Sequence, residues 1–308
     1  MTENGSWAGL SFHSNCWYRH RVTKPPNSFL RTLLVLGRVS NLPTVWTNCL
    51  AGWMLGGGGS PRPLWFLIPG ASLLYVGGMY LNDAFDARHD RQRRAERPIP
   101  LGNIRESTVW GLGFIQMLIG WALLVMLGFL PALLSSVLVG TILWYDAVHK
   151  RVSWSPVIMA SCRVLLFLTA AATGSDGVTG LALWSAIVLG GWIVGLSFVA
   201  RRESAENPSI PGWPFLFLAL PAFLGYLANE GAWRRNAWIL IALVAAWAIR
   251  CIRFSRIHPP QIGKTVGGLI AGVCLVDWLA VNPGPFDGLW FAASFGLALL
   301  AQRLVPST

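Results

Sequence analysis

Apolar runs of close to ~20 residues recur along the chain from Phe29 to Leu304, divided by short polar stretches. About 20 apolar residues in a helix match the ~30 Å hydrocarbon core of a bilayer. Strands of a membrane barrel would instead show ~10-residue segments alternating at every second position. The pattern predicts helical spans at residues 29–57, 63–88, 107–128, 131–149, 154–174, 181–201, 211–230, 236–256, 261–282 and 286–304. The fold class is all-α, a polytopic transmembrane helical bundle. The C-terminal region admits either a tenth span or, after nine spans, a surface or re-entrant helix. Pro43, Pro69, Pro214 and Pro221 fall inside spans, which buried membrane helices tolerate. Gly191 with Gly195, and Gly268 with Gly272, are spaced four apart and predict close helix packing. Residues 1–28 are polar and lack the apolar stretch of a signal peptide, so they read as a cytoplasmic tail before a transmembrane domain at 29–308.

Composition agrees with that class. Of 308 residues, 54% are hydrophobic and 12% charged, about half the charged share of a soluble domain. The net charge of +11 raises nucleic acid as a partner, but the basic residues follow the loops. Arg19, Arg21, Lys24 and Arg31 precede or open the first span. Arg88, Arg91, Arg93, Arg94, Arg97 and Arg105 fill the second loop, and Lys150 and Arg151 the fourth. Arg201 and Arg202 start the sixth; Arg253, Arg256 and Lys264 flank the eighth. The intervening loops carry only Arg62, Arg234 and Arg235. This bias places the N-terminus and every even-numbered loop in the cytoplasm, with the chain in a bacterial inner (cell) membrane. Anionic lipid headgroups, and no nucleic acid, are the expected partners of most of these charges. The five cysteines are scattered singly, which predicts neither a disulfide framework nor a structural metal. The 17 tryptophans read as interface anchors.

Candidate chemistry concentrates at the end of the second span, in Asn82-Asp83-Ala84-Phe85-Asp86-Ala87-Arg88-His89-Asp90. Helical spacing would project Asp83, Asp86 and Asp90 from one face. Carboxylates that close require a compensating cation, and hard oxygens suit Mg²⁺, which completes its shell with water and substrate phosphates. The triplet reads either as a diphosphate site at the membrane surface or as a solvated helix end; its place beside a span favours the former. His89 is expected to point away from the triplet.

The same residues resemble the UbiA superfamily of intramembrane prenyltransferases. Asn82-Asp83-x-x-Asp86-x-x-x-Asp90 is similar to its first aspartate-rich motif, and Arg97-Pro98-Ile99-Pro100-Leu101-Gly102 to its Arg-Pro element in the same loop. Arg38 with Asn41 and Pro43 resembles the opening helix, and Tyr145-Asp146-x-x-x-Lys150-Arg151 the element after the fourth span. The resemblance covers most of residues 29–282. It implies about nine helices around a central cavity that opens to lipid, with prenyl transfer from a polyprenyl diphosphate to a small, often aromatic acceptor. It also implies Mg²⁺ bridging two acidic motifs and the diphosphate, with Asp83, Asp86 and Asp90 as metal ligands and catalytic residues. Asn82, Arg38, Asn41, Arg97, Tyr145, Lys150, Arg163 and Arg201 are the candidate substrate-binding residues.

The second motif departs from the family pattern. Where an aspartate-rich element is expected, the chain reads Arg201-Arg202-Glu203-Ser204-Ala205-Glu206-Asn207-Pro208. Glu203 either serves as the second metal and catalytic site or, with Glu206, neutralises Arg201 and Arg202. The departure keeps open a non-catalytic alternative, a UbiA-like protein that binds or moves a lipid-like molecule. A generic transporter would show an internal repeat, and none is evident. Arg163, charged inside a span, is expected to face the cavity and bind phosphate; the other reading is a structural pair with a carboxylate. Asp146 is expected to pair with Lys150 four residues on, the other reading being an acceptor-side base. Asp277 is expected to be held by buried hydrogen bonds.

Overall fold

The computed structural model describes residues 28–202, 212–228, 232–257, 260–282 and 285–305. Among these the chain is helical throughout, with no strand. The expected 29–57 span is two helices, α1 (Phe29–Leu36) and α2 (Leu42–Leu55), separated by a tight turn. In that turn Arg38 adopts a left-handed φ of 43°, uncommon for a side-chain-bearing residue, and Pro43 fits at the start of α2, where its missing N–H is no loss. Then follow α3 (Leu64–Arg93), α4 (Glu106–Val125), α5 (Phe129–Val148), α6 (Ser155–Ala171) and α7 (Gly180–Ala200). A 3₁₀ stretch at Trp213–Ala219 leads into α8 (Leu220–Ala228), and α9 runs over Ala232–Arg256. The 261–282 span is also divided, into α10 (Ile262–Ala271) and α11 (Val273–Val281) around Gly272. The last helix, α12 (Pro285–Leu304), packs against α2 and α11.

Among the described residues, six helical stretches are long and apolar enough to cross a membrane by length and composition, and shorter apolar helices accompany them. Large apolar side chains such as Trp65, Phe129, Trp184 and Leu216 point outward, as expected where the surrounding solvent is lipid.

Small residues set the helix spacing. A Cβ on Gly77 of α3 would lie 2.9 Å from the Gly113 carbonyl of α4, and one on Gly120 2.7 Å from that of Gly70. Backbones this close leave no room for a side chain and maximise dispersion contact where no hydrophobic force acts between helices. Of the predicted pairs, Gly195 abuts the Pro214 carbonyl, whereas Gly191, Gly268 and Gly272 receive the side chains of Leu220, Cys251 and Trp192. Side chains form two main buried clusters, one around Phe167, Trp192, Leu269 and Leu279, the other around Leu67, Leu74, Leu124 and Leu138. A third, smaller cluster folds the segment after α3 back underneath that helix, burying Ile99 and Ile104 against Leu36, Tyr80, Ala84 and Ala87. That fold-back brings Arg97 beside the acidic end of α3.

Candidate active site

A cavity of ≈ 380 Å³ lies among α2, α3, α5, α6, α7 and α10. One end is polar and holds the acidic end of α3; the remainder has apolar walls that include Leu138, Ile142, Leu166, Ile193 and Ile270.

The three aspartates are buried: Asp83 and Asp86 are 7% exposed and Asp90 2%. The solvated-helix-end reading is therefore overturned. Their common face is narrower than expected. Asn82, Asp86 and Asp90, spaced four apart, line the cavity together with His89. Asp83 stands roughly 100° around the helix from Asn82 and turns instead to Arg38 and Arg97. His89, expected to point away, takes part in the lining because it is one helical turn beyond Asp86 on the same side.

Each aspartate is met by a cation from a different region of the chain. Arg97 Nη1 bridges Asp83 at 2.9 Å and Asp90 at 3.1 Å. Arg38, aimed by the left-handed turn after α1, reaches Asp83 at 3.5 Å. Lys150, just past α5, lies 2.7 Å from Asp86 and 3.9 Å from Asp90. His149 adds Nε2 at 3.4 Å from Asp86 and stacks on Tyr145, with ring centroids 5.0 Å apart. Four residues separate Tyr145 and His149, so one turn of α5 sets that stack. That spacing is the sequence signal for His149, which was absent from the expected site.

Lys150 thus corrects the expected pairing with Asp146, because the acidic face of α3 offers it two carboxylates. Asp146 accepts a hydrogen bond from Asn82 Nδ2 at 3.0 Å instead. Tyr145, Asn41 and Arg201 all line the cavity. Asn41 Nδ2 donates to Tyr75 Oη at 3.2 Å. Arg201 donates to the backbone carbonyls of Val152 and Ser153 in the segment after α5.

Arg163 lines the cavity, as expected, and bonds to residues of α2. It donates to the Thr44 carbonyl at 3.2 Å, the Thr44 hydroxyl at 2.9 Å and Asn48 Oδ1 at 3.0 Å. Asn48 and Thr47 in turn donate to Asp277 at distances down to 3.0 and 2.7 Å. Asp277 is held in buried hydrogen bonds, as expected. The polar stripe Thr44, Thr47 and Asn48 at helical spacing is the sequence signal for this network; none of the three was among the expected site residues. Glu203 and Glu206 lie outside the described residues.

The sequence profile of the UbiA prenyltransferase family matches residues 44–207. The chain belongs to this family. Its matched segment holds α3, α5, α6 and α7, four of the helices that wall the cavity. The 4-hydroxybenzoate octaprenyltransferase of Pectobacterium carotovorum subsp. carotovorum (strain PC1) is 29% identical over 133 residues, 42% of this chain and 46% of that protein. The digeranylgeranylglyceryl phosphate synthase of Sulfolobus acidocaldarius is 28% identical over 103 residues, 33% of this chain and 38% of that one. The chain thus spans less than half the length of these curated relatives. Two solved UbiA homologues share the fold. The Aeropyrum pernix K1 protein superposes with a TM-score of 0.62 at 18% identity, covering 79% of this chain and 96% of its own. The Archaeoglobus fulgidus protein, bound to GPP and Mg²⁺, gives 0.60 at 13% identity, covering 86% and 99%. A UbiA-type helical architecture around a cavity therefore stands on sequence and fold together.

Proposed function

We propose that this UbiA-family chain is an integral membrane prenyltransferase. It would move a prenyl group from a polyprenyl diphosphate to a small aromatic acceptor in an Mg²⁺-dependent reaction. The observation that carries the reading is a buried carboxylate cluster, interleaved with Arg38, Arg97 and Lys150, at the polar end of an apolar cavity. The transferase names of the Pectobacterium and Sulfolobus relatives, and the GPP and Mg²⁺ of the Archaeoglobus homologue, support it.

The donor set fits a shared Mg²⁺ site. No three His, Cys, Asp or Glu side chains among the described residues are placed to hold an ion by themselves, but Mg²⁺ needs only one or two carboxylates when substrate phosphates complete its shell. Asp86 and Asp90 present hard oxygens at the cavity wall and would hold it. Asp83 would act beside them by fixing Arg38 and Arg97, and Glu203 is the candidate for the facing acidic side. When bound, the metal would neutralise charge that builds on the departing diphosphate.

The chain's own cations do the rest of the binding. With diphosphate present, Lys150 exchanges a carboxylate partner for a phosphate oxygen, and Arg38, Arg97 and Arg201 surround the same charge. Arg163 is a further fixed cation, held by Thr44 and Asn48. The apolar walls take the first isoprene units of the prenyl chain and keep water from the allylic carbon as positive charge develops there. A cavity of ≈ 380 Å³ lies near the lower end of the ~300–1,000 Å³ typical of small-ligand pockets. A long prenyl tail would therefore continue into lipid. By the charge bias of the loops, the polar end and the N-terminus face the cytoplasm of a bacterial inner membrane.

The test uses the purified protein in lipid nanodiscs with prenyl diphosphates of increasing length, Mg²⁺ or chelator, and a panel of phenolic acceptors. Mg²⁺-dependent diphosphate release with a prenylated product is the expected result. Tight binding of prenyl diphosphate without release from any member would overturn the transferase and leave the non-catalytic lipid-binding reading.

A further inference from the structure

Arg163 stands apart from Arg38, Arg97 and Lys150, the cavity cations that pair with aspartates. It comes from α6, lines the cavity and is partly exposed there. Its Cζ stands 5.7 Å from the centre of the Tyr75 ring, which lines the cavity from α3. Tyr75 precedes Asp86 by eleven residues on that helix, roughly 16 Å along the axis. Long helical side chains lean toward the helix N-terminus, which carries the ring further from Asp86. The cavity therefore has a second polar pole, too far from the acidic one for a single diphosphate to touch both.

The guanidinium at this pole is held on one side. Nη1 donates to the Thr44 carbonyl and to Asn48 Oδ1, and Nη2 to the Thr44 hydroxyl. A guanidinium has five N–H donors in a fixed fork, so Nε–H and one N–H of Nη2 have no partner among the described residues. Nε is not sealed off from the surrounding space, so a ligand can reach it. Asp277 does not take these donors, because Asn48 stands between: its Nδ2 donates to Asp277 at 3.0 and 3.1 Å, and Thr47 donates at 2.7 Å. A direct pair of Arg163 with Asp277 would brace α6 and α11 most simply. The interposed amide leaves a fixed cation with free donors at the cavity wall. An acid group on a ligand would meet them with charge-assisted bonds, in the paired geometry that arginine favours. Between this cation and a diphosphate at Asp86 there is space for the allylic carbon and one benzoate, itself ~7 Å long at ordinary bond lengths.

We propose that Arg163 selects the acceptor by binding a carboxylate on its aromatic ring, at the pole of the cavity remote from the leaving diphosphate. The assignment deepens the prenyl-transfer reading and rests on it. It turns an unspecified aromatic acceptor into an aromatic acid, with the acid group directed away from the atom that is alkylated.

The near-isosteric pair 4-hydroxybenzoate and 4-hydroxybenzamide tests the idea in nanodiscs, with geranyl diphosphate and Mg²⁺ for transfer and calorimetry for acceptor binding alone. Hydrogen bonds to a charged partner correspond to about tenfold to 100-fold in affinity. The parent protein should prefer the acid by at least tenfold in kcat/KM, chiefly through KM, and in binding. Arg163→Gln should bring the two compounds within about twofold of each other, with geranyl diphosphate affinity also within about twofold of the parent protein. Arg163→Lys should recover some of the preference. Equal use and binding of acid and amide by the parent protein would overturn the proposal, whether or not Arg163→Gln folds. So would an acid preference that survives in Arg163→Gln, the mark of a structural brace. A fall in geranyl diphosphate affinity as large as the loss for the acid would move Arg163 to the diphosphate site and overturn it too. Tighter binding of glycerol phosphate than of hydroxybenzoate would overturn the aromatic-acid assignment. Absence of transfer to any acceptor by the parent protein would defeat the transferase reading, while calorimetry would still show whether Arg163 holds the acid.

Discussion

Replacing Arg97 by methionine should loosen the segment between α3 and α4. Its Nη1 bridges Asp83 and Asp90 at 2.9 and 3.1 Å, and the three side chains are only 17%, 9% and 3% exposed. Hydrogen bonds to charged groups contribute roughly 1.5–3 kcal/mol each, and removing one partner of a buried ion pair costs about 3–5 kcal/mol. Arg38 at 3.5 Å and Lys150 at 3.9 Å can take over some of the compensation, so the lower limit, about 3 kcal/mol, is expected. Ile99 and Ile104 remain buried beneath α3, which confines the effect to the 94–105 segment. At ~1.4 kcal/mol per tenfold, the local opening constant should rise by roughly 100-fold. Hydrogen exchange of peptides from this segment, measured in nanodiscs, reads that constant directly. Arg97→Lys should recover some of the protection, since the charge returns without the planar guanidinium. Exchange in Arg97→Met within about twofold of the parent protein would refute the reasoning: the bridge would then be worth no more than an exposed surface pair, about 0–1 kcal/mol.

Asp86→Asn should remove Mg²⁺-dependent diphosphate binding, read by calorimetry, while membrane insertion stays intact; unchanged binding would return the aspartates to a purely structural role. Glu203→Gln should lower turnover severely and Glu206→Gln much less, and equal activity of both with the parent protein would discard Glu203 as the facing acidic group. Gly77→Ala should destabilise the bundle by about 1–3 kcal/mol through overpacking, because its Cβ would stand 2.9 Å from the Gly113 carbonyl. Gly111→Ala, with nothing within 4 Å, should be neutral or slightly stabilising; equal thermal midpoints would show that α3 and α4 can separate without penalty. Single cysteines near residues 95 and 177 should label from opposite sides of the membrane, and labelling from one side would reverse the assigned orientation.

The helical class and the position of nearly every helix were legible in the chain, because lipid forces each backbone to satisfy itself locally. Run length is then a one-dimensional property, and α3 through α7 fall close to the expected spans. The acidic stretch and the Arg97 element were legible for a similar reason: their spacing is local and their residue types are costly beside a membrane. The breaks at Arg38 and Gly272 were not legible, since each depends on neighbouring helices that accept a turn. Nor was the α3–α4 glycine contact, whose spacing matters only when a second helix carries glycines in register.

Partner choice was the other property that sequence left open. Asp146 and Lys150 are four residues apart, and local spacing joins them; the structure separates them because α3 brings two carboxylates to Lys150 and the Asn82 amide to Asp146. Arg163 and Asp277 are far apart in the chain, and only the packing of α2 between α6 and α11 links them through Asn48. Residue types and short-range periodicity decide which groups a chain possesses and which helix carries them. Electrostatic partners in a low-dielectric bundle are decided by whichever charges tertiary packing brings within about 4 Å, where a direct contact outweighs any neighbour along the sequence.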